Sequence, residues 1–113
     1  MRRWRRHREA PAEPVNEPRP DSCIVPIGQI HWRERACVAG RVRSVRVQPW
    51  AGVPTLECTL TDDTGGLAVV FLGRRQIAGI HPGTRMVVEG IVGQHDGRLA
   101  ILNPDYALEA RPA

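Results

Sequence analysis

Arginine and aromatic side chains are the groups in this sequence whose spacing could support recognition chemistry. Arginines recur at Arg35, Arg41, Arg43 and Arg46, with no acidic residue between the first and the last. Guanidinium groups in a row can bind the phosphates of a polyanion, and an exposed ring such as that of Trp50 can stack on a nucleobase. The pattern therefore indicates a recognition surface, although a solvated arginine face without a partner would give the same pattern.

Residues for covalent catalysis or metal binding do not fall into known patterns. Cys23, Cys37 and Cys58 are widely spaced and lack a CxxC motif, and an odd count argues against a disulfide framework. The four histidines form no zinc-ligand spacing with these cysteines. There is no GxSxG, HExxH or P-loop motif, and no histidine is expected to pair with a carboxylate on an adjacent strand. We therefore expect no metal, no cofactor and no enzymatic activity, in a reducing cytoplasm.

The residues around the arginines predict one long, bent β-strand. Val38 and Val42 share a face by the two-residue period of a strand, and Gly40 lies between them on that face. A glycine inside a strand is typical of a bulge or a barrel corner. The valines beyond position 43 continue the apolar pattern one step out of phase, which predicts a bulge near Arg43–Ser44.

Four further strands are predicted along the chain. In the second, positions 55–61, Leu56, Cys58 and Leu60 face inward while threonines and Glu57 face outward. The third, positions 67–72, is apolar on both faces, so its period does not decide which of its last two residues faces out. The fourth, positions 85–92, repeats the glycine-centred pattern of the first. The fifth, positions 98–102, ends at Asn103-Pro104-Asp105-Tyr106, because proline cannot extend a central strand.

The connecting segments also carry expectations. Ile27 and Ile30 have helical spacing, which predicts one turn beneath the first strand. Ile77 and Ile80 predict a short helical turn that plugs the barrel between the third and fourth strands. Trp32 is expected to cap one end of the barrel, and a stacking role is the alternative. Trp50 is expected to be exposed at the tip of a hairpin loop.

Composition divides the chain into a tail and a single domain. All 16 basic residues are arginine, and the formal net charge is +4. Residues 1–23 combine an arginine-rich start with spaced prolines and little apolar surface, so they are expected to be a disordered tail. Residues 24–108 form the predicted domain, and residues 109–113 a loose end. No apolar run approaches a transmembrane length, and the basic start lacks the apolar core of a signal peptide.

Four segments resemble the bacterial OB-fold nucleic-acid-binding family, which includes tRNA-anticodon-type barrels and the wedge domain of the RecG helicase. They are VAGRVRSVRVQP, PTLECTLTDDTGGLAVVFLGRR, GTRMVVEGIVG and GRLAILNPDYAL, within positions 35–108. The resemblance implies an all-β, five-stranded Greek-key OB-fold barrel. It also implies a free-standing protein that binds rather than catalyses.

Within that family the binding face lies on the second and third strands and their loops, which implies sequence-tolerant binding of single-stranded DNA or RNA. The alternative is a protein-interaction module in a DNA-repair or translation assembly. The sequence leaves open the choice between DNA and RNA, and the oligomeric state. The candidate nucleic-acid-binding residues are Arg41, Arg43, Arg46, Trp50, Thr59, Thr61, Phe71, Arg74, Arg75, His95 and Arg98.

Overall fold

A computed structural model describes residues 4–6 and 24–109 of the chain, and the regular structure of these residues is almost entirely strand. The strands are β1 (Trp4–Arg6), β2 (Arg35–Trp50), β3 (Val53–Asp62), β4 (Gly65–Leu72), β5 (Arg85–His95), β6 (Arg98–Leu102) and β7 (Asp105–Glu109). A 3-10 turn, Ile27–Gln29, precedes β2. Among the described residues, no helix is long and apolar enough to cross a membrane.

Five of the strands close into a ring. β2 pairs antiparallel with β3 on one side and with β5 on the other. β3 pairs antiparallel with β4, β4 pairs parallel with β6, and β6 pairs antiparallel with β5. A closed five-stranded barrel of this order is the OB-fold that the sequence predicts. Closure leaves the strands of the ring without a shared open edge, so the barrel has a defined inside and outside.

The bend of β2 arises where the sequence predicts it. Val42 lies opposite Leu60 and Ser44 lies opposite Thr59, so Arg43 is the extra residue of a β-bulge. A Cβ atom at Gly40 would lie 2.5 Å from the carbonyl oxygen of Thr61, which is closer than side chains pack. Glycine at this position therefore lets β2 and β3 approach closely as the strand turns the barrel corner.

The barrel interior is filled by the predicted inward faces. On β3, Leu56, Cys58 and Leu60 are buried, and Val38 and Val42 of β2 meet them in the same core cluster. Burial of a side chain of this size contributes about 1.5–3 kcal/mol. Burial, together with the nearby charge of Glu57, raises the pKa of the Cys58 thiol to about 12, so this cysteine stays protonated.

The segment between β4 and β5 contains a single short turn, as expected. Its isoleucines are buried as predicted, and the turn is closed by a hydrogen bond from the amide of Ile80 to the carbonyl oxygen of Ile77. Gly79 and Gly83 have φ of 84° and 95°, a left-handed backbone that stops a helix from continuing. The turn predicted at Ile27 and Ile30 is present as Ile27–Gln29 and buries Ile27. It is hydrogen-bonded to Asp62 and Thr64 at the β3–β4 turn, whereas the sequence predicts a position beneath the first strand.

The chain ends also depart from expectation. The backbone of Trp4–Arg6 forms β1, which pairs antiparallel with β7, so these residues belong to the sheet rather than to a disordered tail. The other residues of the predicted tail, 1–3 and 7–23, lie outside the described residues, as does most of the predicted loose end. Positions 107–109 are part of β7, which pairs with β5. After Pro104 the chain resumes pairing along the same edge of β5, beyond the stretch that β6 occupies.

Trp32 does not cap the barrel. Its side chain is 50% exposed, and the guanidinium of Arg33 lies over its ring, 4.1 Å from the centroid. The neighbouring backbone crosses the end of β5, with a hydrogen bond of 2.7 Å from the amide of Arg33 to the carbonyl oxygen of Val92. The indole is therefore held at the surface by a cation–π contact.

Candidate nucleic-acid interface

One outer surface of the barrel collects most of the predicted site residues, and strand register explains why. Arg46 lies opposite Glu57, Gln48 opposite Thr55, and Trp50 opposite Val53. Residues directly opposite each other in an antiparallel pair point to the same side, so these side chains share the outside of the β2–β3 hairpin. The same surface continues toward the barrel through two further pairs, Ser44 with Thr59 and Arg41 with Thr61. We call this surface the outer β2–β3 face.

Trp50 stands at the tip of this face. The turn that follows it has two residues of positive φ, Ala51 at 52° and Gly52 at 78°. Two such residues make a type I′ turn, whose twist matches that of the flanking strands. The indole is 39% exposed, as predicted, and its edge meets the His95 ring with centroids 5.2 Å apart. One part of the indole is therefore fixed by the β5–β6 hairpin while another part stays open to a ligand.

A buried carboxylate organises the middle of the face. Glu57 is 4% exposed, and one of its oxygens accepts hydrogen bonds from Arg46 at 3.0 Å and from Arg98 at 3.1 Å. Its other oxygen lies 3.0 Å from Nε2 of His95. A carboxylate is buried at low cost only when it is paired and hydrogen-bonded in this way. Glu57 therefore fixes the positions of three predicted site residues and neutralises part of their charge.

His95 on β5 meets Glu57 on β3 although these two strands are not paired with each other, so the expectation about adjacent strands did not consider this contact. The ligand atoms of Glu57, His95 and Asp96 lie within 4.8 Å of one another, a spacing that a metal ion could bridge. The guanidinium groups of Arg46 and Arg98 already form ion pairs with Glu57, however, and their positive charge repels a cation there. The geometry therefore favours a preformed network of ion pairs and hydrogen bonds over a metal centre.

Two cavities of about 340 Å³ each open onto the outer β2–β3 face. The first lies between Trp50 and Asp96, and the second lies between Thr59 and Arg98. Glu57 and Asp96 line both cavities, so the two are neighbours along the hairpin, and we call them together the groove. A groove with an aromatic wall at one end and cations in the middle can hold a stacked ring and the charged chain attached to it.

A third cavity, of about 450 Å³, lies where β2 enters the barrel. Arg41, Thr61 and Arg85 line it, together with two aspartates of the β3–β4 turn. Arg41 and the bulged Arg43 are exposed, and within residues 24–109 neither side chain has an ion-pair partner. Among the described residues, no ion pair therefore has to break for these two guanidinium groups to bind a polyanion.

On β4 and in the segment after it, three further predicted site residues lie away from the groove. Phe71 faces the core, 5% exposed, with its ring edge 5.5 Å from that of Tyr106, so the prediction that it stacks on a base is wrong. Register explains this, because Phe71 lies opposite the inward residue Leu56. Arg74 and Arg75 follow β4 and line none of the three cavities, and Arg74 hydrogen-bonds the carbonyl oxygen of Gln76 at 3.4 Å.

The arginine stripe is also less free than the sequence suggests. Arg35 lies 3.1 Å from Glu89 and 3.7 Å from Asp105, so it is neutralised on the far side of the barrel. The sequence-based site also omits Glu57, whereas Asp96 lies in the His95–Gly97 loop that the family resemblance implies as part of the binding face. The outward position of Glu57 on β3 was the available signal, since an acid between threonines on a basic face requires a partner.

Comparison with known proteins supports the fold. No family model matches the sequence, and the curated proteins give no significant match. The structure is similar to the solution NMR structure of the replication factor A related protein from Methanobacterium thermoautotrophicum, with a TM-score of 0.55 at 17% sequence identity. The match covers 79% of this chain and 93% of that one. At this level of identity, the likeness extends to the all-β OB-fold barrel.

Proposed function

We propose that the outer β2–β3 face binds nucleic acid, with single strands preferred and little dependence on sequence along most of the groove. The observation that carries the proposal is the exposed Trp50 above a groove whose floor is a preorganised cluster of arginine and histidine. Unstacked bases are accessible in single strands, and stacking on an aromatic ring contributes about 1–3 kcal/mol per base. The similarity to a replication factor A related protein is consistent with this proposal.

The arginines divide into two groups with different roles. Arg41 and Arg43 can take phosphates directly. Arg46 and Arg98 are hydrogen-bonded to Glu57, which neutralises part of their charge. They can orient a ligand, but each attracts a phosphate less strongly than Arg41 or Arg43. For single strands, the logarithm of affinity falls by about 0.7 per phosphate contact for each decade of salt. Contacts from Arg41 and Arg43 alone would give a slope of about −1.4.

The test is a salt titration of binding to labelled ten-nucleotide single-stranded DNA and RNA and to a duplex. Removal of both free guanidiniums in Arg41→Gln/Arg43→Gln should make the slope shallower by about 1.4. Arg75→Gln, an exposed arginine outside the three cavities, is the matched control and should leave the slope unchanged. Absence of binding at low salt, or an equal effect of the control, would contradict the proposal.

We also propose that this face binds without catalysing a reaction. Both carboxylate oxygens of Glu57 have donors within 3.1 Å, so Glu57 is poorly placed to accept a substrate proton. The Cys58 thiol, with its pKa near 12, is a poor nucleophile. We place the barrel with the tRNA-anticodon-type and RecG-wedge-type OB domains as part of the same proposal.

A protein-interaction role is the second candidate, and a different surface favours it. Trp32 and Ile91 are 50% and 55% exposed and lie where the backbone before β2 crosses β5. Large exposed apolar side chains that lie close together are typical of interaction sites. A role of this kind predicts that Trp32→Ser/Ile91→Ser weakens capture of a protein partner and leaves oligonucleotide binding intact. Weakened oligonucleotide binding in this variant would show that this surface contributes to nucleic-acid binding instead.

A further inference from the structure

The β5–β6 turn places a carboxylate at the mouth of the groove. Asp96 and Gly97 have φ of 54° and 76°, so they form a second type I′ turn. This turn lies beside the tip of the β2–β3 hairpin, since the ring of His95 meets that of Trp50. A two-residue turn of this kind restricts the backbone of both residues, so the Cα–Cβ bond of Asp96 has a defined direction.

Of the two carboxylates that line the groove, Asp96 is the one that accepts no hydrogen bond from the described residues. Both oxygens of Glu57 receive hydrogen bonds from arginine or histidine. The carboxylate of Asp96 lies 3.7 Å from Nε2 of His95, beyond hydrogen-bond distance, and its side chain is 64% exposed. Because an ionised carboxylate only accepts hydrogen bonds, the nitrogen of His95 that faces Glu57 carries hydrogen, and in the neutral ring the other nitrogen is also an acceptor.

A carboxylate without a hydrogen-bond partner has a cost in binding free energy on a surface that binds phosphates, because it repels them. That cost is offset if the ligand places hydrogen-bond donors against it. Guanine presents two adjacent donors on one edge, the N1–H and the N2 amino group. Adenine and cytosine present one amino group beside an acceptor nitrogen, and thymine and uracil present one N–H between two carbonyl groups.

We infer that the cavity between Trp50 and Asp96 is a base-selective subsite that prefers guanine, within a path that is otherwise tolerant of sequence. The indole stacks on the face of the base, and the Asp96 carboxylate accepts hydrogen bonds from its two donors. This inference rests on the proposed function, because it assigns the identity of one base within the proposed binding path. A bidentate contact of this kind is expected to discriminate by about tenfold in affinity.

The experiment uses four ten-nucleotide single strands of thymidine, with one central position occupied by thymine, adenine, guanine or hypoxanthine. A single guanine cannot form a quadruplex, and hypoxanthine lacks only the N2 amino group. The full chain should bind the guanine strand about tenfold more tightly than the thymine strand. The hypoxanthine strand should lose most of this gain. The adenine strand should show the gain that purine stacking alone provides.

Asp96→Asn tests the carboxylate itself. Asn-Gly is the preferred pair for a type I′ turn, so the hairpin should be retained, which a thermal melt checks. The variant should bind the thymine strand as tightly as the wild type or more tightly, and it should lose the guanine preference. Glu34→Gln, which removes an exposed charge outside the groove, is the control and should keep the preference.

The outcomes separate the two proposals. Equal affinity for the adenine and guanine strands, or a guanine preference that survives Asp96→Asn, overturns the subsite and leaves the proposed function standing. Failure of the wild-type chain to bind any of the four strands overturns both proposals.

Discussion

The two halves of β2 belong to one strand but are held in different ways. From Arg35 to Arg41, the strand is paired with β5, and Gly40 presses against the backbone of β3. From Ser44 to Trp50, the strand is paired with β3 alone among the described residues. Val38 and Val42 are buried in the first half, whereas the outer end of the second half is exposed. The bulge at Arg43 separates a half that stabilises the barrel from a half that presents side chains to solvent.

Each half also anchors an arginine on a buried glutamate, and the two pairs differ in their surroundings. Glu89, 3% exposed, pairs with Arg35 and lies in register with Cys37 and Asp105 on neighbouring strands. Glu57 pairs with Arg46 beside two open cavities. The same chemical pair therefore has a structural role in the first half and a place in a candidate binding surface in the second.

Gly40→Val should have the largest effect on stability. Its Cβ would contact the carbonyl oxygen of Thr61 at 2.5 Å, and that oxygen is backbone and cannot rotate away. Overpacking of this kind costs about 1–3 kcal/mol and occasionally more, so we expect a loss of about 3 kcal/mol in the free energy of unfolding. Urea denaturation measures it.

Gly52→Asn is the matched control in the second half. Nothing lies within 4 Å of its Cβ, and asparagine tolerates its positive φ. The free energy of unfolding should change by less than about 1 kcal/mol. Equal losses at the two glycines would show that the halves of β2 do not differ in the way described.

Glu57→Gln should separate stability from binding. Loss of the charge weakens the hydrogen bonds to Arg46 and Arg98, which are half exposed, so we expect a loss of about 1–2 kcal/mol in stability. The released guanidiniums should tighten oligonucleotide binding and steepen its salt slope by up to about 1.4. Glu89→Gln is the counterpart and should lower stability without steepening the slope. A slope that steepens equally in both variants would contradict the distinction.

Local pattern was sufficient to predict the features of β2 that depend on neighbouring residues. The phase of the valines located the bulge at Arg43, and Gly40 marked the close approach to β3. The clean alternation of β3 gave its inward face correctly. These features follow from the two-residue period and from the size of a side chain, which a single strand already displays.

Features that depend on register between distant strands were not predicted. Glu57 and His95 are 38 residues apart, and only the closed ring brings them to 3.0 Å. The period of β4 does not decide whether Phe71 faces out, because this strand is apolar on both faces, and only the family resemblance implies that Phe71 lies on the binding face. The structure gives the reason, since the outer residues Ala68 and Val70 of β4 pack against Ala100 of β6 in a second small cluster.

Asp62→Asn tests the barrel end that lies next to the first half of β2. One oxygen of Asp62 accepts from the amide of Ile27 at 2.9 Å, and the other accepts from the amides of Thr64 and Gly65. An amide side chain cannot accept at both positions, so we expect a loss of about 1 kcal/mol in stability. This loss should be smaller than that at Gly40, because a hydrogen bond is removed but no packing is disturbed.

The pH dependence of this loss is a further check. Desolvation alone would raise the pKa of Asp62, but the hydrogen bonds from Ile27, Thr64 and Gly65 lower it below the ordinary value of 3.8. A lowered folded-state pKa contributes stability that is complete above that ordinary value and is lost as the pH falls through the folded pKa. The difference between wild type and variant in urea denaturation should therefore be constant from about pH 7 to 5 and shrink below 3.8. A difference that grows on acidification would contradict this assignment.

Trp50→Ala should have a small effect on stability and a clear effect on binding. The indole is exposed at the hairpin tip, and its main aromatic contact is with the ring of His95, worth about 0.5–1.5 kcal/mol. We expect the free energy of unfolding to fall by about 0.5–1.5 kcal/mol, while oligonucleotide binding weakens by about 1–3 kcal/mol. Phe71→Leu, a substitution in the core, should show the reverse, with lower stability and unchanged binding by the folded protein. If Trp50→Ala unfolds the barrel, the second half of β2 is as structural as the first, and the distinction between the two halves is lost.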